Sequence, residues 1–399
     1  MTKEYSPFTP GVPVPIEFFV GREQEITDVV TKVAKSVAMK TCERAFVTGE
    51  RGIGKSSLCR MALRIAEEKH EVVGLHVYLG GVTTLEELVR RLFECLLQES
   101  RDRNWFAGVK SFLGNHIREV GIFGVSLGFD APQRDLSLAV GDFGSTLRKL
   151  LQSISPHRRG LMIVLDDLNG LADSDAFANW LKSLIDEIAT ARDSLPLTLV
   201  LVGLPERRRQ LVKRQPSLDR VFDLVTIRAF NKAETEQFYV RSFNKVNVTV
   251  TADALELLWK FSGGYPVFLH EIGDCVFKAD SDGKIDSADA SAGVITAAGI
   301  IGAKYVEPRV LAALWSTRYR GILKKIAEGG GAHFNVRELQ ELLSPGEAGV
   351  LPNFLQKMKK LGVIYQDAEM GKGHYQFSNA MYALFFALQN ARENGPLQR

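Results

Sequence analysis

Two rhythms of apolar and polar residues alternate along the first 230 positions, and then one of them fades. Short, largely apolar runs recur at Arg44-Ala45-Phe46-Val47-Thr48, Val72–Tyr78, Gly160–Leu165 and Leu197–Val202. Runs of this kind are strands buried on both faces of a parallel sheet. Between them, apolar residues return at helical spacing: about Arg22–Ala38, then Leu58, Met61, Ala62, Ile65 and Ala66, then Asp142–Ile154 and 173–191. A further helix runs to Leu97, with Thr84 as its cap and Glu86 and Glu87 complementing the dipole of its first turn. The alternation over 40–230 predicts a doubly wound α/β layer.

Residues 103–140 break the rhythm, because Gly108, Gly114, Gly121, Gly124, Gly128 and Gly141 punctuate short alternating stretches such as Ile122–Leu127. An inserted helix plus a β-hairpin is expected there. Pro10, Pro13 and Pro15 predict an extended lead-in as far as Ile16. From Asn231 the strand signals stop, and 231–305 reads as a small helical lid. A third pattern occupies 306–399: helices at 308–328, Asn335–Leu343 and 347–361, strands at Val363–Gln366 and His374–Phe377, and a closing apolar helix at 379–390. Helix–helix–helix–hairpin is the order of a winged helix. The expectation is three domains, 1–230, 231–305 and 306–399, with no internal repeat.

Composition narrows the class only a little. A length of 399 residues suits a chain of about two to three domains, and 45% apolar with 24% charged residues fills an ordinary core. A net charge of +3 says little about partners. Cys42, Cys59, Cys95 and Cys275 stand apart, without a CxxC, as in a reducing cytosol. The N-terminal residues lack the apolar centre of a signal peptide, and the weakly polar run Ala288–Ala303 is too short to span a bilayer. A cytoplasmic protein with no membrane partner is expected.

The chemistry is concentrated at Gly49-Glu50-Arg51-Gly52-Ile53-Gly54-Lys55-Ser56, a complete GxxxxGK[ST] loop between a strand and a helix. Glycines let successive N–H groups turn into one anion-sized nest at a helix N-terminus. Gly49, Gly52, Ile53, Gly54, Lys55, Ser56 and Ser57 are therefore the candidate nucleotide-binding residues. Lys55 brings a mobile charge to the β- and γ-phosphates, and Ser56 a hydroxyl to Mg²⁺. ATP is favoured over GTP because no NKxD-type guanine reader follows. About 110 residues on, the strand ending Leu165-Asp166-Asp167 is a Walker B segment. Asp166 is the candidate Mg²⁺ acid and Asp167 a candidate to orient the attacking water. The plainer alternative is two acids capping the next helix.

Phe19-Val20-Gly21-Arg22-Glu23 resembles the "FVGRE" box of AAA+ ATPases, above all the replication-initiator group and the related STAND signalling ATPases. The resemblance implies a P-loop AAA+-like sheet with its lid, and places Val20 and Gly21 beside adenine. Val202-Gly203-Leu204-Pro205-Glu206 and Leu218-Asp219-Arg220-Val221-Phe222 are similar to a "GxPE…R" stretch of AAA+ proteins, which implies that Arg220 reaches the neighbouring subunit's nucleotide. The alternative for Arg220 is a surface arginine near a helix end, and Arg207, Arg208 and Arg209 read as a solvated charge run. Ser262-Gly263-Gly264-Tyr265-Pro266 looks like the "GG-P" lid element of STAND and archaeal-type ATPases, in which Pro266 meets the base or ribose. Three departures imply low turnover: Asp167 where a Glu is commoner, no polar sensor after strand 197–202, and no sensor arginine in the lid.

In the C-terminal segment Leu351, Phe354, Leu355, Met358 and Leu361 mark the buried side of a third helix. Gln356, Lys357, Lys359 and Lys360, with Lys372 on the wing, are candidate DNA contacts. Two outcomes are expected of such a chain: an ATP-dependent homo-oligomeric switch that binds DNA, or a STAND-like regulatory or defence ATPase whose winged helix and insert bind protein partners.

Overall fold

The computed structural model describes residues 5–12, 19–120, 126–329, 332–367 and 370–394. They form two compact units, one running to Arg228 and the other comprising the residues up to Val12 together with those from Ala229 onward.

In the first unit α1 (Glu23–Met39) leads into β1 (Cys42–Thr48), and α2 (Lys55–His70) into β2 (Val72–Tyr78). Next come α3 (Leu85–Ser100), α4 (Phe106–Leu113), β3 (Ile117–Val120), β4 (Ser126–Phe129), α5 (Gln133–Gly141) and α6 (Phe143–Ile154). β5 (Gly160–Asp166), α7 (Asp175–Thr190), β6 (Leu197–Gly203), α8 (Pro205–Arg214), α9 (Leu218–Val221) and β7 (Asp223–Thr226) complete it. Five strands form one parallel sheet in the order β2-β5-β6-β1-β7. Every residue of β5 and β6 is buried, which is why their sequences lack the alternation of a half-exposed strand. The register aligns Thr48 with both Gly203 and Thr226, and Asp166 with Tyr78. The carboxyl ends of the strands therefore finish at one edge, where α/β sheets bind ligands.

The insert holds the antiparallel β3–β4 hairpin and two helices, α4 and α5, where one was expected, packed through Trp105, Val109, Phe129 and Leu136 into the same core. Residues 121–125, between β3 and β4 in the chain, lie outside the described residues, as do 13–16 of the expected extended lead-in. Thr84 caps α3 by accepting from the Glu87 N–H at 3.3 Å.

The second unit holds α10 (Lys232–Asn244), β8 (Thr249–Val250), α11 (Ala252–Ser262), α12 (Pro266–Ala279), β9 (Lys284–Ile285) and α13 (Ser287–Ile301). Strands do not stop at Asn231, since β8 and β9 form a two-residue parallel pair, too short to leave a periodic signal. The helix expected at 308–328 is also corrected. A π-helical stretch spans Gly302–Leu311, and α14 begins only at Thr317 and runs to Glu328. Pro308 lies inside that stretch and has no N–H for an α-helical bond, and the wider turn is closed by the Ala312 N–H on the Glu307 carbonyl at 3.0 Å. β10 (His333–Asn335), α15 (Val336–Leu342), α16 (Pro345–Ala348), α17 (Leu351–Lys360), β11 (Ile364–Gln366), β12 (His374–Phe377) and α18 (Ala380–Asn394) follow, with a three-stranded antiparallel sheet ordered β10-β12-β11.

Residues near the N-terminus belong to this second unit. Phe8 is 4% exposed and sits edge-on to Phe243 at 5.0 Å, against Phe238, Tyr239 and His270. Gly273 makes room for it, because a Cβ there would meet the ring at 2.4 Å. Beside it the Thr9 N–H donates to His270 Nδ1 at 3.1 Å. Burial lowers His270 to about 4. The unfolded chain then takes up a proton below about pH 6.5 that the folded unit refuses until about pH 4, so stability falls as pH drops through that window. Urea midpoints of the His270→Gln variant should lose this slope, worth about 3 kcal/mol in full in the parent chain.

Candidate nucleotide site

The site grows out of the end of β1. Gly52 and Gly54 take φ of 77° and 95°, left-handed values that turn the loop back onto the start of α2. Gly49 is required for a different reason: a Cβ there would stand 2.7 Å from the Ile227 backbone oxygen. Lys55 Nζ donates to the carbonyls of Gly49 and Glu50 at 3.0 and 2.8 Å, which folds the ammonium over its own loop. Burial lowers the Lys55 pKa, while the nearby charges of Asp166 and Glu50 pull it back up. Ile53 is buried, and Ser56 and Ser57 occupy the first turn of α2, half-buried.

Two residues ahead of α1 lock that helix to the loop. Gly21 and Arg22 are consecutive left-handed residues, with φ of 72° and 68°. Arg22 is 6% exposed and extends a guanidinium to the Ile53 carbonyl at 3.4 Å and to Glu25 at 3.4 Å. Val20 is buried beside them. The sequence reading gave a role to Val20 and Gly21 and none to Arg22, although Arg22 is the arginine of the same FVGRE-like box.

Asp166 ends β5, 5% exposed, and its Oδ2 lies 2.9 Å from His76 Nε2 on the neighbouring strand. Asp167 adopts φ 63° and ψ 64°, and accepts a hydrogen bond from Asn169 Nδ2. Gly80 faces it so closely that a Cβ would stand 3.0 Å from Asp167 Oδ2. Asn169 Oδ1 in turn accepts from Arg207 Nε at 2.9 Å, and Arg207 also bonds Gln210 at 2.9 Å. Arg207 is thus part of the Asp167 neighbourhood and not a solvated residue as expected. Arg208 pairs with Asp219, whereas Arg209 is exposed and pairs only with Glu206 among the described residues. His76, Asn169 and Arg207 carried no motif, so no sequence pattern singled them out.

Arg220 is exposed on the four-residue α9 and makes no ion pair among the described residues. Pro266 lies in the other unit, at the first position of α12 after Gly263 and Gly264, whose φ values are 55° and 71°. Gly264 is close-packed, since a Cβ there would meet the Phe230 carbonyl oxygen at 2.0 Å.

A loop of this shape between Thr48 and α2, with an acid on the second strand along, is how a sheet edge receives a triphosphate. Residues 19–202 match the family model of the AAA ATPase domain. Over that stretch the chain is similar to AAA ATPase domains, and its sheet and loop have the fold of a P-loop NTPase. Solved structures extend the likeness of fold over almost the whole chain. The ORC2 protein of Aeropyrum pernix, in its ADPNP–ADP complexes, is similar at 13% identity and a TM-score of 0.60, covering 98% of this chain and 96% of that one. The Walker-type ATPase PABY2304 of Pyrococcus abyssi is similar at 20% identity and a TM-score of 0.53, over 92% and 96%. No curated protein matches the sequence. Among the described residues no helix is long and apolar enough to cross a membrane.

Two substitutions test the site. Gly49→Ala should cost roughly 1–3 kcal/mol of stability by forcing β1 away from Ile227. Lys55→Ala should leave stability near the parent value and weaken nucleotide binding about tenfold to hundredfold, read by titration of a fluorescent ATP analogue.

Proposed function

We propose that this ATPase is an ATP-dependent switch that assembles with copies of itself and contacts duplex DNA through a C-terminal winged helix. The observation that carries the reading is the outward side of α17. Asn353, Gln356 and Lys360 are exposed and Lys357 is half-buried, and the four follow one another at i, i+3, i+4 and i+7 along a single stripe. Leu351, Phe354, Leu355 and Met358 are buried on the opposite side. Lys359 leans over the Tyr375 ring at 5.7 Å, and Lys372 is exposed in the connection between β11 and β12. A helix presenting amides and ammonium groups beside a basic wing suits the major groove and its flanking phosphates.

ATP is the proposed nucleotide, with Val20 and Gly21 beside the base. The Ser56 hydroxyl and Asp166 carboxylate are hard oxygen donors of the sort Mg²⁺ takes together with water, and the ion, when bound, neutralises charge on the phosphates. Lys55 exchanges its two carbonyl partners for phosphate oxygens. Asp167 orients water as general base, and Arg220 enters the neighbouring subunit's site, where a permanently charged fork suits phosphate. Slow turnover fits the short acid and its hydrogen bond to Asn169.

A second reading has its own support. β6 ends in Gly203 with no polar side chain to sense the γ-phosphate, as in a partner-gated switch whose insert and winged helix bind protein.

Light scattering and anisotropy with duplex DNA test the first reading. ATP should raise the particle size, and Arg220→Ala should abolish that rise and most of the ATP hydrolysis. Replacing Lys357, Lys359 and Lys360 by Glu should weaken DNA binding and reduce the salt slope of log K by about 3. A chain that stays monomeric and ignores DNA with every nucleotide leaves the partner-gated switch.

A further inference from the structure

The nucleotide-site acid Asp166 is held by a neighbour that the phosphate loop does not supply. In the register of β2 against β5, Tyr78 stands beside Asp166 and His76 beside Val164. Side chains two apart on a strand share a face, so Tyr78, His76 and Asp166 project to the same side of the sheet. There His76 Nε2 meets Asp166 Oδ2 at 2.9 Å, with the two side chains 10% and 7% exposed.

A carboxylate oxygen accepts, so the hydrogen of this contact sits on His76 Nε2. The other tautomer would set two lone pairs against each other and bury an unpaired N–H. Nδ1 is buried without a partner, so the contact with Asp166 is the one polar use of this ring among the described residues. A further contact fixes its orientation: the Tyr78 ring stacks on it at 4.4 Å and 15°. Volume alone would be filled more cheaply by a leucine, which leaves no ring nitrogen unsatisfied.

We infer that His76 is a positioning residue for the metal-binding acid. Its N–H occupies Oδ2, fixes the carboxylate rotamer, and leaves Oδ1 to face the hydration shell of the divalent cation that accompanies ATP. The inference rests on Asp166 being that cation's acid. Partners of metal-ligand side chains set affinity as the ligands themselves do, and losing one weakens metal binding about tenfold to hundredfold.

The test measures Mn²⁺ binding to the protein–ADP complex by electron paramagnetic resonance, alongside ADP affinity in EDTA. His76→Phe keeps the ring and its stack on Tyr78 but has no donor, while His76→Gln restores an N–H at similar reach. The phenylalanine variant should bind Mn²⁺ at least about tenfold more weakly with metal-free ADP affinity unchanged, and the glutamine variant should recover most of the loss. Parent-like Mn²⁺ binding in His76→Phe, with Asp166→Asn impaired, overturns the inference and makes His76 a core filler. Parent-like binding in Asp166→Asn as well removes the acid itself from the metal site, a failure of the earlier reading. If His76→Phe does not fold, His76→Gln against the shorter His76→Asn decides: equal Mn²⁺ affinity in the two overturns the role.

Discussion

Parallel pairing of five short strands is the constraint on which the site depends. Side chains paired in register emerge at the same height, so the end of β1, the end of β5 and the end of β2 reach solvent together. Slipping β5 by one residue against β2 would turn Asp166 to the opposite face, away from His76 and Lys55. No loop adjustment compensates for that, because loops position phosphate but the sheet positions the acid. The wholly buried β5 and β6 are thus functional as well as structural.

Much of this was legible in the sequence. The phosphate loop, the Walker B strand and the order of elements announced themselves because each is a local pattern, with glycines at fixed offsets or apolar residues at a fixed period. The structure adds what locality cannot carry. His76 meets Asp166 across 90 positions of chain, Arg207 meets Asn169 across 38, and Arg22 meets Ile53 across 31. The π-helical stretch at Gly302–Leu311 was missed for another reason. Its apolar spacing is close enough to that of an α-helix that only Pro308 marked the change.

Glycine serves this protein through space as often as through backbone freedom. Gly49 and Gly273 sit where a single methyl group would strike a backbone oxygen and an aromatic ring, whereas Gly52 and Gly54 are needed for their left-handed turn. The distinction governs what each site tolerates. Crowding against a ring, as at Gly273, is relieved by shrinking the neighbour, crowding against a backbone oxygen, as at Gly49, only by moving the chain, and a positive φ only by another residue content with that conformation.

The left-handed backbone of Asp167 belongs with this second class. Among residues with a β-carbon, Asp and Asn adopt such a conformation most readily, and the longer Glu is disfavoured there. The shorter acid therefore suits the bend of the main chain, although Glu71 shows that a glutamate can take such a conformation elsewhere in this chain. Lengthening that one side chain to gain reach would strain the turn that presents it. A longer acid at this position would first need a different path from Asp166 to Leu168, so the side chain on offer here follows from the shape of a corner.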